Sequence, residues 1–265
     1  VNFNEAIRDQ WRQQKHVCIG LDPFPEYLPN GITDLFEFNK AIIDATADLA
    51  CCYKPQFAHY AALGKEHKLK ETIHYIKKHY PSVPVILDSK RGDIGSTATM
   101  YAKEAFEQYA ADAVTVNPYM GSDTVLPFSE FKDKGVIVLC RTSNPSASEF
   151  QNQSIEGEPL YIHVARKAQQ DWNSNNNISL VVGATAPQEM KHIRSAAPKL
   201  PFLIPGIGAQ GGDLKSTLIN GRFSDGDGVM INSSRGIIYA SKEKDFADAA
   251  RRETEQLQLA INQNI

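Results

Sequence analysis

Residues 84–119 read PVILDSKRGDIGSTATMYAKEAFEQYAADAVTVNPY. An apolar, β-branched run at 84–90 gives way to apolar residues at helical spacing from Ser96 to Tyr109, and a second apolar run follows at 113–119. A strand, a helix and a strand in succession predict two parallel strands joined by a crossover. The same alternation extends outward in both directions. Further strand-like runs are HVCIGLD, CCYKPQ, GVIVLCR, LVVGAT, FLIPG and GVMINSS, and helix-like segments run from Asp34 to Ala50, Gly64 to Tyr80, Pro187 to Ala196 and Lys242 to Leu257. About eight such units predict an α/β fold, a closed (β/α)8 barrel, over an open doubly wound sheet, although short apolar runs do not by themselves report closure. No domain boundary is visible, so 1–265 is expected to form a single barrel domain. The polar stretch Thr142 to Pro159, rich in Ser, Asn and Gln, is expected to be a loop at the strand ends.

Composition narrows the function. With 28 Lys and Arg against 31 Asp and Glu, the net charge of −3 leaves no electrostatic footprint for nucleic acid and no basic tail for an anionic membrane. No apolar run approaches the ~18 residues of a membrane span, and VNFNEAIRDQWRQQKH lacks the apolar centre of a signal peptide, so a cytoplasmic location is expected. Cys18, Cys51, Cys52 and Cys140 fall in apolar runs without CxxC spacing and read as small buried hydrophobes. Neither a metal site nor a cofactor is expected.

Chemistry concentrates in LDSKRGDIGSTA at 87–98. On a strand, Asp88 and Lys90 share a face, and Asp93 follows where the chain turns, so one ammonium is expected between two carboxylates. Opposite charges within ~4 to 6 Å favour the ionised form of each, which makes Lys90 a proton donor rather than a Schiff-base nucleophile. The plain alternative is a surface ion pair at a strand end. Against it stands a shared address: Asp22, Lys54, Asp88, Lys90, Asn117, Arg141, Gly206 and Ser234 all fall at or just beyond the carboxyl ends of expected strands, which meet at one mouth of a parallel barrel. Each has a simpler reading alone, since Asp22 and Asn117 both precede proline in potential turns, Lys54 could be a solvated strand end, and Arg141 could pair with an acidic neighbour. PGIGAQGGD at 205–213 followed by GVMINSSRG at 228–236 suggests a phosphate site, with Gln210 offering an amide and Arg235 a bidentate guanidinium.

The pattern Asp88, Lys90, Asp93, Ile94 and Thr97, together with GLDP around Asp22, YKPQFA around Lys54, CRTSN around Ser143, PGIGAQGGD around Gln210 and SSRG around Arg235, resembles the orotidine 5'-monophosphate decarboxylase family over nearly the whole chain. The wording looks most like its bacterial type 2 branch. The resemblance implies a TIM barrel without cofactor or metal that converts orotidine 5'-phosphate to UMP and CO2 in pyrimidine nucleotide synthesis. It implies that Lys90 faces C6 and protonates it, that Asp88 lies against the departing carboxylate, and that Lys54 and the partner's Asp93 complete the charge network of a homodimer with shared sites. Asp22, Lys54 and the partner's Thr97 would reach the ribose, and Ser143 the pyrimidine. Ile94, Asn117 and Gly208 join the implied substrate-binding set, while Gln210 and Arg235 would hold the phosphate beneath a lid from Gly206 to Gly212. The chain departs from the pattern at HYAALG after YKPQFA; the family's layout implies that His59 and Ala61 lie off the site.

A carbanion at C6 lies in the ring plane with no β-keto group to delocalise it, so its stabilisation is electrostatic. Two unit charges ~4 Å apart repel by about 4 kcal/mol at an effective dielectric near 20, whereas enzymes lower barriers by about 8 to 23 kcal/mol. Repulsion from Asp88 is therefore not the whole mechanism. Two rivals remain. Related barrels use a DxKxxD element with Mg²⁺ on sugar phosphates, as decarboxylases or aldolases, but Arg91 to Thr97 and GAQGGD favour the orotidylate reading. A nucleotide-binding barrel without turnover would have no reason to gather Asp22, Lys54, Asp88, Lys90 and Asp93.

Overall fold

The computed structural model describes residues 2–207 and 212–265. Eight parallel strands form its centre: β1 (Val17–Leu21), β2 (Ala50–Pro55), β3 (Ile86–Arg91), β4 (Ala113–Val116), β5 (Gly135–Arg141), β6 (Ile178–Val182), β7 (Phe202–Ile204) and β8 (Val229–Ser233). Hydrogen-bonded neighbours run β2-β1-β8-β7-β6-β5-β4-β3. The two ends of this order meet through parallel bridges Tyr53–Val85 and Gln56–Asp88, and the Tyr53 N–H donates to the Pro84 carbonyl at 3.0 Å. The sheet is thus a barrel and not an open doubly wound sheet. Closure buries both faces of each strand, which is why the strands read as continuous apolar runs rather than alternating ones.

The two faces build two cores. Outward residues such as Val17, Ile19, Tyr53, Val85, Val114, Val136 and Val138 pack beneath the surrounding helices. Inward residues Cys18, Cys52, Ile86, Ala113, Ile137, Leu203 and Met230 fill the floor of the barrel with Phe3, Ile7 and Trp11. Those last three lie at i, i+4 and i+8 on the helix Phe3–Arg12, so one apolar stripe plugs the barrel from below. Asn2 and Glu5 cap this helix reciprocally, and the Trp11 indole N–H donates to the Val229 carbonyl at 2.9 Å. All four cysteines are buried free thiols, and burial pushes the pKa of each upward, as inert core residues require.

Some boundaries differ from the sequence reading for local reasons. The segment from Asp34 is capped by the Asp34 carboxylate, which accepts from the Phe36 N–H at 2.7 Å, but it ends at Thr46, because Ala50 already opens β2. The helix expected at 96–109 runs Gly95–Lys103 and continues as a π turn over Glu104–Gln108. The last helix spans Phe246–Asn262. The stretch from Thr142 to Pro159 is more ordered than a plain loop: a 3-10 turn at Pro145–Glu149 precedes an antiparallel pairing of Ser154–Ile155 with Glu158–Pro159. Glu156 and Gly157 close that hairpin with positive φ, as its two-residue connection demands. Two-residue strands are too short to show an alternation in sequence. Among the described residues no helix is long and apolar enough to cross a membrane.

Candidate active site

The site starts from an irregularity in β3. Leu87 pairs with Val114 and Arg91 with Val116, so Asp88, Ser89 and Lys90 together stand opposite the single residue Thr115. Lys90 takes a left-handed backbone, φ +48°, rarely adopted by a side chain of this kind. Strict alternation along β3 is therefore lost, yet Lys90 folds back and its Nζ lies 2.7 Å from Asp88 Oδ1. The other carboxylate oxygen is taken from β2, where Lys54 Nζ lies 2.8 Å from Asp88 Oδ2. The expected arrangement is thus inverted, with one carboxylate between two ammoniums. Asp93 makes no ion pair with Lys90 among the described residues; its carboxylate accepts instead from the Ile94 N–H at 2.8 Å.

Burial and charge oppose each other here. Burial alone would raise the Asp88 pKa, but Lys54 and Lys90 outweigh it and hold the carboxyl well below the usual range. Burial would likewise depress Lys54, and the carboxylates of Asp88 and Asp22 instead hold it above the ordinary lysine value. Both are ionised at neutral pH. Their exposure separates the two lysines: the Lys54 side chain is 7% exposed and that of Lys90 46%, so Lys54 lies deep in the barrel and Lys90 at its open end.

Above this network lies a cavity of about 530 Å³ bordered by Asp22, Lys54, Asp88, Gly206, Ser234 and Arg235, within the size range of small-ligand sites. Asp22 directly follows β1, and its Oδ1 is buried with no hydrogen-bond partner among the described residues. The loop that carries it is clamped by Tyr239, whose hydroxyl accepts from the Phe24 N–H at 2.6 Å and donates to the Asp22 carbonyl at 3.1 Å. A side chain on Gly20 would collide with Ser234 Oγ, so β1 and the end of β8 approach closely only because position 20 has no Cβ. Arg235 opens the short helix Arg235–Ile238 just after β8 and is exposed beside Ser234.

Other residues singled out by sequence occupy the same end of the barrel without lining this cavity. Asn117 turns the chain after β4, its carboxamide oxygen accepting from the Tyr119 N–H at 3.0 Å, and it borders a separate apolar cavity with Leu139 and Phe150. Ser143 packs its backbone against Gly183 after β6. Arg141 pairs with Glu189 and donates to the Thr142 carbonyl at 2.6 Å, the plain reading of a strand-end charge. Ile94 and Thr97 are exposed at the start of the helix Gly95–Lys103. Gly208 and Gln210 lie outside the described residues. The expectation for His59 is corrected: it borders the main cavity, its ring edge-on to Phe24 at 4.5 Å and its Nδ1 3.3 Å from the Pro23 carbonyl. The helix Phe57–Ala61 begins directly after β2, and its first turn brings position 59 back over the mouth.

Sequence reasoning did not single out Thr115, Gln56 or Tyr239. A lone threonine at a fully buried position in the apolar run AVTV is the signal that could have drawn attention to the first.

A profile of the orotidine 5'-phosphate decarboxylase / HUMPS family matches residues 15–250. The chain belongs to that family. An orotidine 5'-phosphate decarboxylase of Azoarcus sp. (strain BH72) is 53% identical over 267 residues, covering 99% of both chains. Among solved structures, Leishmania donovani OMP decarboxylase is 37% identical with a TM-score of 0.87, covering 99% of this chain and 98% of its own. Leishmania donovani UMP synthase is 39% identical with a TM-score of 0.90, and this chain spans 56% of its length. The family's name covers two groups, and the full-length relatives fall on the decarboxylase side.

Proposed function

We propose that the mouth of this barrel binds orotidine 5'-phosphate and decarboxylates it to UMP, as a carboxy-lyase of pyrimidine nucleotide synthesis in the cytoplasm. The observation that carries the reading is the Lys54–Asp88 pair on the wall of a cavity bordered by Arg235, with Lys90 joined to the free side of the same carboxylate at the barrel mouth. When the C6–carboxylate bond breaks, its electron pair stays on C6 and CO2 departs. An adjacent ammonium lowers the energy of that pair, and Lys90 then gives C6 a proton from Nζ and recovers one from water. Lys90 suits this step because its side chain is much the more exposed of the two lysines and is held to Asp88 through a single oxygen. Asp88 remains ionised throughout and repels the carboxylate about to leave, while Lys54 fixes its position.

Asp22 and Lys54 supply an acceptor and a donor for the ribose hydroxyls. The orphaned Oδ1 of Asp22 supports this, since a buried carboxylate oxygen lacking a donor is costly until a hydroxyl fills the place. Arg235, with Gln210 and Gly208, holds the phosphate, and Ser143 and Asn117 serve the base side of the mouth. In the homodimer of this reading, the partner's Asp93, Ile94 and Thr97 complete each site. Support comes from the apolar surface around that segment, where Met100 is 63% and Tyr119 84% exposed in the single chain.

Metal assistance fits the donor set poorly, because both oxygens of Asp88 are already held by ammoniums, and no group of three or more His, Cys, Asp or Glu among the described residues could hold an ion. The test is incubation of the purified protein with orotidylate in EDTA, following UMP and CO2. Turnover unchanged by the chelator is expected; activity on a sugar phosphate that returns only with Mg²⁺ would move the assignment to the rival reading.

A further inference from the structure

Thr115 is almost wholly buried on β4 and touches both ends of the reacting pair. The Lys90 N–H donates to Thr115 Oγ1 at 2.9 Å, and the same hydroxyl donates to Asp88 Oδ1 at 2.8 Å, the oxygen that also receives Lys90 Nζ. A hydroxyl has one proton. Because the Lys90 amide can only donate, that proton is committed to Asp88, and the hydroxyl has no freedom to turn. The β3–β4 register explains why a side chain is needed. Three residues of β3 face one of β4, so Lys90 lacks a regular ladder partner, and Thr115 Oγ1 takes the place of the absent carbonyl.

We propose that Thr115 is a positioning residue for the decarboxylation: its hydroxyl holds Lys90 in the left-handed backbone that aims the ammonium and fixes the Asp88 oxygen facing it. The catalytic half of this inference rests on the reading given above; the structural half does not. A hydroxyl that merely satisfied a buried strand would affect folding and leave the aim of Lys90 alone. One that sets the geometry acts on the chemical step, where misplacement by about 1 Å costs on the order of 100-fold in rate.

Thr115→Val keeps the shape and removes the hydroxyl, whereas Thr115→Ser keeps the hydroxyl and removes the methyl. In the valine variant kcat is expected to fall by roughly 30- to 100-fold while the dissociation constant for UMP changes by less than about twofold, because ribose and phosphate contacts come from other strands. The serine variant is expected within about threefold of wild type in both. Hydrogen exchange at the Lys90 amide is expected to quicken at least about tenfold in the valine variant and to stay protected in the serine variant. A valine variant with kcat within about threefold of wild type, or equal losses of kcat and UMP affinity in both variants, overturns the proposal. Should Thr115→Val not fold, Thr115→Ala against Thr115→Ser makes the same comparison, since those two differ by one hydroxyl. If the wild type did not act on orotidylate, the functional reading would fall, and exchange at Lys90 would still decide whether Thr115 holds that backbone.

Discussion

Lys54 Nζ stands 2.8 Å from Asp88 Oδ2, with both side chains more than nine-tenths buried, and so links β2 to β3 across the seam where the barrel closes. Besides the role proposed for it at the site, this pair is structural. Removing one partner of a buried ion pair leaves the other charge without compensation and typically costs about 3 to 5 kcal/mol. Asp88 retains Lys90 and Thr115, so the lower end applies to Lys54→Met, about 3 kcal/mol. Urea unfolding of the two proteins measures this, and a loss below about 1 kcal/mol would mean that the pair is not what holds the seam.

Lys90→Ala removes the accessible cation and the proton donor together. Turnover is expected to fall by roughly 10⁴-fold or more, with UMP still bound through ribose and phosphate contacts. Comparison of single-turnover rates with UMP binding separates these, and near-normal turnover would refute the role given to Lys90.

The barrel was legible in the sequence because its strands are short apolar runs, several of them giving way to a polar residue, as at Leu21–Asp22 and Leu87–Asp88. The site was legible as a set of strand-end residues, but its internal pairing was not. Alternation placed Lys90 between Asp88 and Asp93, whereas the bulge opposite Thr115 and the closure of β2 on β3 deliver Lys54 to Asp88 instead. Neither the bulge nor the closure leaves a local trace in sequence. His59 was misplaced for a similar reason, since its position depends on a short helix beginning directly after β2.

Arg235 is expected to contribute to rate although it lies away from the reacting carbon. If phosphate binding drives closure over the substrate, Arg235→Ala lowers kcat/KM by roughly 100-fold or more, the worth of a bidentate charge-assisted contact. Guanidinium in solution is expected to restore part of it. An unchanged kcat/KM would place the phosphate elsewhere.

His16 at the barrel floor gives the fold an acid sensitivity of predictable sign. Burial against Trp11 lowers its pKa from 6.5 to about 4, with the Val229 carbonyl pulling weakly the other way. Well above pH 6.5 the ring is neutral folded and unfolded, and its contribution to the pH dependence fades. Between 6.5 and about 4 the unfolded chain binds a proton that the folded chain refuses, so stability falls as the pH falls. The loss from pH 7.5 to 5 is about 2 kcal/mol. Denaturant unfolding at the two pH values is expected to show this slope in the wild type and to lose it in His16→Asn; an equal slope in both would assign the acid sensitivity to other groups.

Sharing of the site between chains is tested by mixing a Lys90→Ala chain with an Asp93→Ala chain under conditions that allow subunit exchange. The two residues are three positions apart, yet in the proposed homodimer Lys90 serves its own site and Asp93 the neighbour's. An isologous contact exchanges the same surface in both directions, so in a heterodimer one mouth collects both lesions and the other is wholly wild type. Random mixing makes about half the dimers heterodimers, each with one intact mouth of two, and activity is expected to recover to roughly a quarter of the wild-type value from two nearly inactive parents. Native mass spectrometry counts the heterodimers. If they form and activity does not return, Asp93 acts within its own chain, and its carboxylate, now turned to the Ile94 N–H, must swing toward Lys90 when substrate binds.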